Sequence, residues 1–125
     1  MDKKDLEENL ELIPQFDKNG LIPCITISAK NGSILMFAYM NEESLKKTIE
    51  TKEVHYWSRS RNELWHKGAT SGHIQKVVEI RIDCDQDCIS VSVEMEPEMS
   101  CHTGRHDCFY RKVNLETGKL EFIED

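Results

Sequence analysis

Residues 81–88, RIDCDQDC, hold three aspartates and two cysteines, and residues 100–108, SCHTGRHDC, add two more cysteines and two histidines. Asp83, Asp85 and Asp87 alternate as D-x-D-x-D. Carboxylates this close raise one another's pKa values unless a cation compensates. Oxygen-only donors suit Mg²⁺ or Ca²⁺. A solvated acidic turn would explain the triplet alone. An EF-hand would place Glu94 at its twelfth position, but Cys88 stands where the sharp turn needs glycine and the flanks read as strands. The EF-hand is rejected.

Cys84, Cys101 and Cys108 offer three thiolates. Zinc suits them, and three protein ligands leave its fourth position open for water. A closed site completed by Cys88, His102 or His106 is the structural alternative, and plain buried cysteines are a third. Zinc bound by three thiolates acidifies water less than a three-histidine site, so a neighbouring base is expected. His102 and His106 titrate in the right range for general acid–base work.

Positive charge collects in SRSRNELWHKG (58–68) and GRHDCFYRK (104–112). Arg59, Arg61 and Lys67 supply cations, while Thr70, Ser71 and Gly72 supply hydroxyl and backbone donors for an anion. Arg105, in the second basic stretch, joins them as a substrate-binding candidate. A solvent-facing charged hairpin is the plainer account of the first stretch.

The elements that must position these groups are mostly strands. LIPCITISA (21–29) and ILMFAYM (34–40) read as a hairpin turned by KNGS. Cys24 in the first of these is a small buried residue. Asn41 N-caps the clearest helix, EESLKKTIET, and DLEENLELI (5–13) suggests a short amphipathic one. EVHYWSRS (53–60) and LWHKGA (64–69) form a second hairpin around RNE.

HIQKVVEIRID (73–83) and CISVSVEM (88–95) alternate as strands. Val78, Ile80 and Ile82 take even positions and Ile89, Val91 and Val93 odd ones, so a turn or bulge must intervene across DQD. FYRKVNL and KLEFIE flank a last turn, ETG. The expected class is α+β: a β-rich, mostly antiparallel sheet with one main helix in a single domain, residues 1–125.

A chain of 125 residues with 38% apolar and 31% charged residues can bury a core without disulfides. Five cysteines, an odd number, fit a reduced compartment. The net charge of −7 argues against nucleic acid or an anionic membrane as partner, and favours a small anionic molecule. ILMFAYM is too short to span a bilayer, and MDKKDLEENLELIP lacks the features of a secretory signal. A cytoplasmic location is the default expectation.

FAYMNEESL, YWSRSRNELWHKGATSGH, RIDCDQDC and CHTGRHDCFYR, in that order, closely resemble the phosphoribosyl-AMP cyclohydrolases of histidine biosynthesis, over roughly residues 15–111. The resemblance implies hydrolytic opening of the adenine ring between N1 and C6 of phosphoribosyl-AMP, the third step of that pathway. It matches Cys84, Cys101 and Cys108 to zinc ligands, one ion per subunit, and Asp83, Asp85 and Asp87 to magnesium ligands. It implies a homodimer with shared metal sites, Cys84 from one chain and Cys101 and Cys108 from the other. His102 matches a catalytic histidine that would take the proton of zinc-activated water.

Two departures stand out. Cys88 occupies a position where members more often carry a small or apolar residue, and His106 and Asp107 replace a more usual basic residue and serine. The chain has no room for the fused phosphoribosyl-ATP pyrophosphohydrolase found in many organisms. Zinc nucleobase deaminases also attack C6 of adenine, but their H-x-E and P-C-x-x-C signatures are absent. A zinc-stabilised structural or interaction module is the alternative reading. Its zinc would have protein ligands only, and removing the metal would unfold it.

Overall fold

The structure is a computed structural model that describes residues 2–101 and 103–123. A short helix, α1 (Lys3–Glu8), opens the chain, followed by β1 (Ile22–Ser28), β2 (Ile34–Met40), α2 (Glu42–Thr51), β3 (His55–Ser58) and β4 (Glu63–His66). β5 (Lys76–Ile82), β6 (Ile89–Glu94), β7 (Arg111–Val113) and β8 (Leu120–Phe122) complete it. Six strands form one sheet in the order β4-β3-β2-β1-β6-β5, and β7 and β8 pair apart from it. Among the described residues there are two helices, and the class is α+β. Its pairings are antiparallel except β1 against β6, which makes the sheet mixed.

The expected hairpins form. β1 alternates strictly, burying Ile22, Cys24, Thr26 and Ser28. α2 starts where a capping box forms: the Asn41 side chain accepts from the Ser44 amide, and the Ser44 hydroxyl accepts from the Asn41 amide, both at 2.8 Å. α1 stops at Glu8, short of the expected 5–13. Asn9 turns extended and its side chain accepts from the Glu11 amide at 2.7 Å, which leaves Leu10 and Leu12 exposed.

The parity expected for β5 fails at one residue. A bulge between Val77 and Glu79 turns Val78 outward, so that Val77, Ile80 and Ile82 pack on the core. On β6 the odd positions Ile89, Val91 and Val93 are buried as expected. A second bulge lies where β1 pairs Thr26 with Met36 and Ile27 with Ile34. It lets consecutive residues Leu35 and Met36 both face inward, and the Leu35 carbonyl accepts from the Cys108 amide at 2.8 Å.

One polar line crosses this core. The Tyr56 hydroxyl lies 2.6 Å from Thr26 Oγ1 and donates to Gln75 Oε1, also at 2.6 Å. All three residues are fully buried. Tyr56→Phe would leave the Gln75 carbonyl and the Thr26 hydroxyl each short of a partner. We expect a loss of about 1–3 kcal/mol, read as a lower urea midpoint at constant slope. An unchanged midpoint would show that the hydroxyl is dispensable.

Candidate active site

The strand turn after β4 builds a cleft. Gly68 takes φ +87°, and a Cβ there would lie 2.3 Å from the backbone carbon of His73. Only glycine lets the chain fold back this closely. The resulting cleft, about 490 Å³, is lined by Arg61, Trp65, Lys67, Thr70, Ser71 and Cys101, with His73 and Met99 alongside. Four of the seven anion-site candidates therefore meet beside one of the proposed zinc ligands.

Lys67 is only 8% exposed. Its Nζ donates to the Ser100 carbonyl at 2.7 Å and lies 5.0 Å from the centre of the Trp65 ring. Burial pulls its pKa down, while the nearby Cys108 and Cys101 oppose that shift. Arg61 extends over Trp65 and stands 3.6 Å from Glu63. The remaining candidates lie elsewhere. Arg59 covers Tyr39 at 4.1 Å, Gly72 lines a hollow with Lys30 and Lys76, and Arg105 lies in a separate cleft with Tyr110 and Phe122.

The Cys101 and Cys108 thiols lie close enough to influence each other's titration. Burial raises Cys101, but the Thr103 hydroxyl, 3.1 Å from the sulfur, with the Thr103 amide, Cys108 and Arg105, brings it below its ordinary value. Burial first and then Cys101 push the Cys108 thiol up to about 11. The pair thus holds one proton more loosely than the other. Adjacent soft donors of this kind fit zinc. Cys84 is exposed at the far end of β5, beside the N-terminal segment, and does not complete a three-ligand cluster with them in the same chain. His102 lies outside the described residues.

Among the described residues, Asp83, Asp85 and Asp87 form the one group of three or more potential ligands, with oxygens within 4.8 Å of one another. The turn holding them is closed by the Asp83 amide on the Cys88 carbonyl at 2.9 Å. Asp83 Oδ1 accepts from the amides of Asp87 and Cys88 at 2.8 and 3.0 Å. Burial opposes ionisation of Asp83, but hydrogen bonds from Asp87 and Cys88 hold its carboxyl below its ordinary value. Hydrogen bonds to Asp83 and then Asp85 push Asp87 up to about 6. The crowding holds a proton to higher pH than an isolated aspartate would, and an oxygen-seeking divalent ion would relieve the same repulsion.

Two glutamines went unnoticed in the sequence. Gln86, at φ +59° inside the aspartate turn, is 3% exposed. Its side chain accepts from the Ile13 amide at 2.7 Å and donates to the Leu6 and Glu11 carbonyls, tying the turn to the N-terminal segment. Gln75 Nε2 approaches the Ser100 hydroxyl at 3.5 Å, next to Cys101. Polar residues inside otherwise alternating strands or turns were the available signal.

The phosphoribosyl-AMP cyclohydrolase family model matches residues 36–110, which contain every candidate metal, anion-binding and catalytic residue read from the sequence. The chain belongs to this family. A phosphoribosyl-AMP cyclohydrolase of Rhodopseudomonas palustris (strain BisB18) is 54% identical over 110 residues, 88% of this chain and 75% of its own. The protein of that name from Brucella anthropi is 51% identical over 120 residues, 95% of this chain and 85% of its own. One from an Azoarcus species is 54% identical over 110 residues, covering 88% and 83%. β7 and β8 lie beyond the family match.

If the family cleft depends on the turn at Gly68, Gly68→Ala should damage it. The positive φ alone costs about 1–3 kcal/mol, with the backbone clash added. We expect the melting temperature to fall by about 5 °C or more. A variant melting within about 2 °C of the parent would mean that the turn relaxes freely.

Proposed function

We propose that this chain hydrolyses phosphoribosyl-AMP, opening the adenine ring between N1 and C6 as a step of histidine biosynthesis. The observation that carries the reading is Cys101 in the wall of a cleft that also holds Arg61 and Lys67, with the Cys108 thiol near enough to influence its titration. Family membership and relatives named phosphoribosyl-AMP cyclohydrolase support the substrate.

Cys101 and Cys108 would hold zinc together with Cys84 of the partner subunit, one ion per subunit of a homodimer. The exposure of Cys84, away from the pair within one chain, supports a shared site. Bound there, zinc supplies Lewis acidity that lowers the pKa of water toward neutrality. His102, next to Cys101 in sequence, would accept the proton. Arg61, Thr70 and Ser71 would orient the phosphate-bearing substrate from the cleft walls, with Lys67 adding fixed charge beneath them. Asp83, Asp85 and Asp87 would hold Mg²⁺, which supplies positive charge toward the anionic substrate. Arg59, Gly72 and Arg105 are assigned to substrate binding from outside that cleft. No helix is long and apolar enough to cross a membrane among the described residues, and the expected setting is the cytoplasm.

Turnover of phosphoribosyl-AMP should disappear on chelation and return with added zinc. A folded, zinc-loaded protein without turnover would move the structural-module reading ahead.

The shared site has its own test. Cys84→Ser and Cys101→Ser proteins, each inactive alone, are unfolded together and refolded as a mixture. Heterodimers then carry one intact site, and roughly a quarter of wild-type activity should appear in an equal mixture. Activity that stays absent in demonstrated heterodimers would place all three thiolates in one chain.

A further inference from the structure

We propose that Phe122, in the C-terminal hairpin beyond the family match, is a positioning residue. With Tyr110 it forms an aromatic pedestal that presents the edge of the Arg105 guanidinium to the substrate's phosphate. The inference rests on the function proposed above and adds to it a contact from outside the motifs that define the family.

Arg105 sits on the loop between Cys101 and Cys108, just after Gly104, which takes φ +85°. Its guanidinium carbon lies 4.2 Å from the Tyr110 ring centre and 5.6 Å from that of Phe122. The two rings lie within 14° of parallel with centres 6.2 Å apart. They meet because β7 and β8 pair in the register Arg111 with Phe122, and because the Ile123 amide donates to the Tyr110 carbonyl at 3.0 Å. Neither contact belongs to the main sheet.

A guanidinium stacked on rings uses its faces and keeps its N–H groups in plane for a planar or phosphate acceptor. The carboxylates of this loop have hydrogen-bond partners other than Arg105. His106 takes Glu98 at 2.8 Å and Asp107 at 3.0 Å, and the other Asp107 oxygen accepts from the Phe109 amide at 2.7 Å. Arg105 faces a cleft of about 410 Å³ lined with Tyr110, Phe109 and Phe122, and with His106 and Asp107, which are paired to each other. Phe122 is 63% exposed, and every residue of β7 and β8 is exposed. An isolated two-stranded ribbon is marginal in water. The ribbon and the arginine therefore hold each other in place: the stack docks the ribbon, and the ribbon fixes the arginine.

The test compares Phe122→Leu, which keeps apolar bulk without a ring, with Phe122→Tyr and Phe122→Trp, which keep a ring face. We expect the leucine variant to raise KM for phosphoribosyl-AMP about two- to fivefold, the value of an exposed cation–π contact, with kcat and bound zinc unchanged. The tyrosine and tryptophan variants should keep the parental KM. A leucine variant with parental KM would overturn the proposal. So would one that loses kcat and zinc together, since the hairpin would then serve only to hold the loop folded.

A second readout needs no turnover: titration of the protein with inorganic phosphate, followed at the Arg105 side-chain N–H resonance. The parent should respond, and Phe122→Leu should respond more weakly. If phosphoribosyl-AMP is not turned over but this difference appears, the pedestal stands and the substrate assignment falls. If phosphate leaves the Arg105 resonance unmoved in the parent, the pedestal falls whatever the enzyme does.

Discussion

The site depends on a buried line of hydrogen bonds that joins the middle of the sheet to the thiol loop. Gln75 Oε1 can only accept, so the single Tyr56 proton goes to it and Thr26 must donate to Tyr56. The Gln75 amide then points toward the sulfurs of Met36 and Met95 and the hydroxyl of Ser100. Ser100 itself is 1% exposed, and its carbonyl takes the Lys67 ammonium. A buried polar group without a partner costs about 1–3 kcal/mol, so one misplaced member disturbs the next. The residue before Cys101 is thereby fixed from the strand side and from the cleft side at once.

The cysteine loop receives its second anchor from an irregularity. Leu35 is the extra residue at the bulge between β1 and β2, and the Cys108 amide takes its carbonyl. A buried carbonyl must find a donor. One extra residue in a strand thus holds one thiol, while Ser100 holds the other. The two sulfurs come close enough for their proton affinities to diverge. The aspartate turn follows the same logic with oxygen donors, and buried Gln86 supplies its fixed point.

Local chemistry was legible in the sequence wherever neighbours along the chain decide it. KNGS between alternating strands gave a hairpin, and Asn41 with Ser44 capped α2, because turns and caps are settled within a few residues. D-x-D-x-D needed only one tight turn to bring its oxygens together. What could not be read is non-local. The parallel contact of β1 with β6 joins residues far apart in the chain, and no turn signal announces it. The bulge that turns Val78 outward breaks a parity that the sequence continues through. Gln75 looks like a polar interruption until Tyr56 is placed opposite. The motif residues split for the same reason: Arg61, Lys67, Thr70 and Ser71 converge across one turn, whereas Arg59, Gly72 and Arg105 are carried to other surfaces.

An acidic chain that is to receive an anion must confine its positive charge. The net charge of −7 would repel a phosphate at long range, but screening limits that range to about 8 Å at physiological ionic strength. Within such a distance the cleft is governed by Arg61 and Lys67. Glu63 offsets part of Arg61, standing 3.6 Å away with both groups exposed, a pair of small energetic weight. Lys67 is different. Its ammonium is buried on a carbonyl and an aromatic face, with no carboxylate pairing it among the described residues. A buried cation in that state is costly unless negative charge develops beside it. The thiols of Cys101 and Cys108 are the nearest source on the protein, and an anionic substrate is the nearest source from solution. The cost of burying Lys67 is therefore offset most fully when metal-binding thiolates and substrate are both in place, which couples the two halves of the site through one fixed charge.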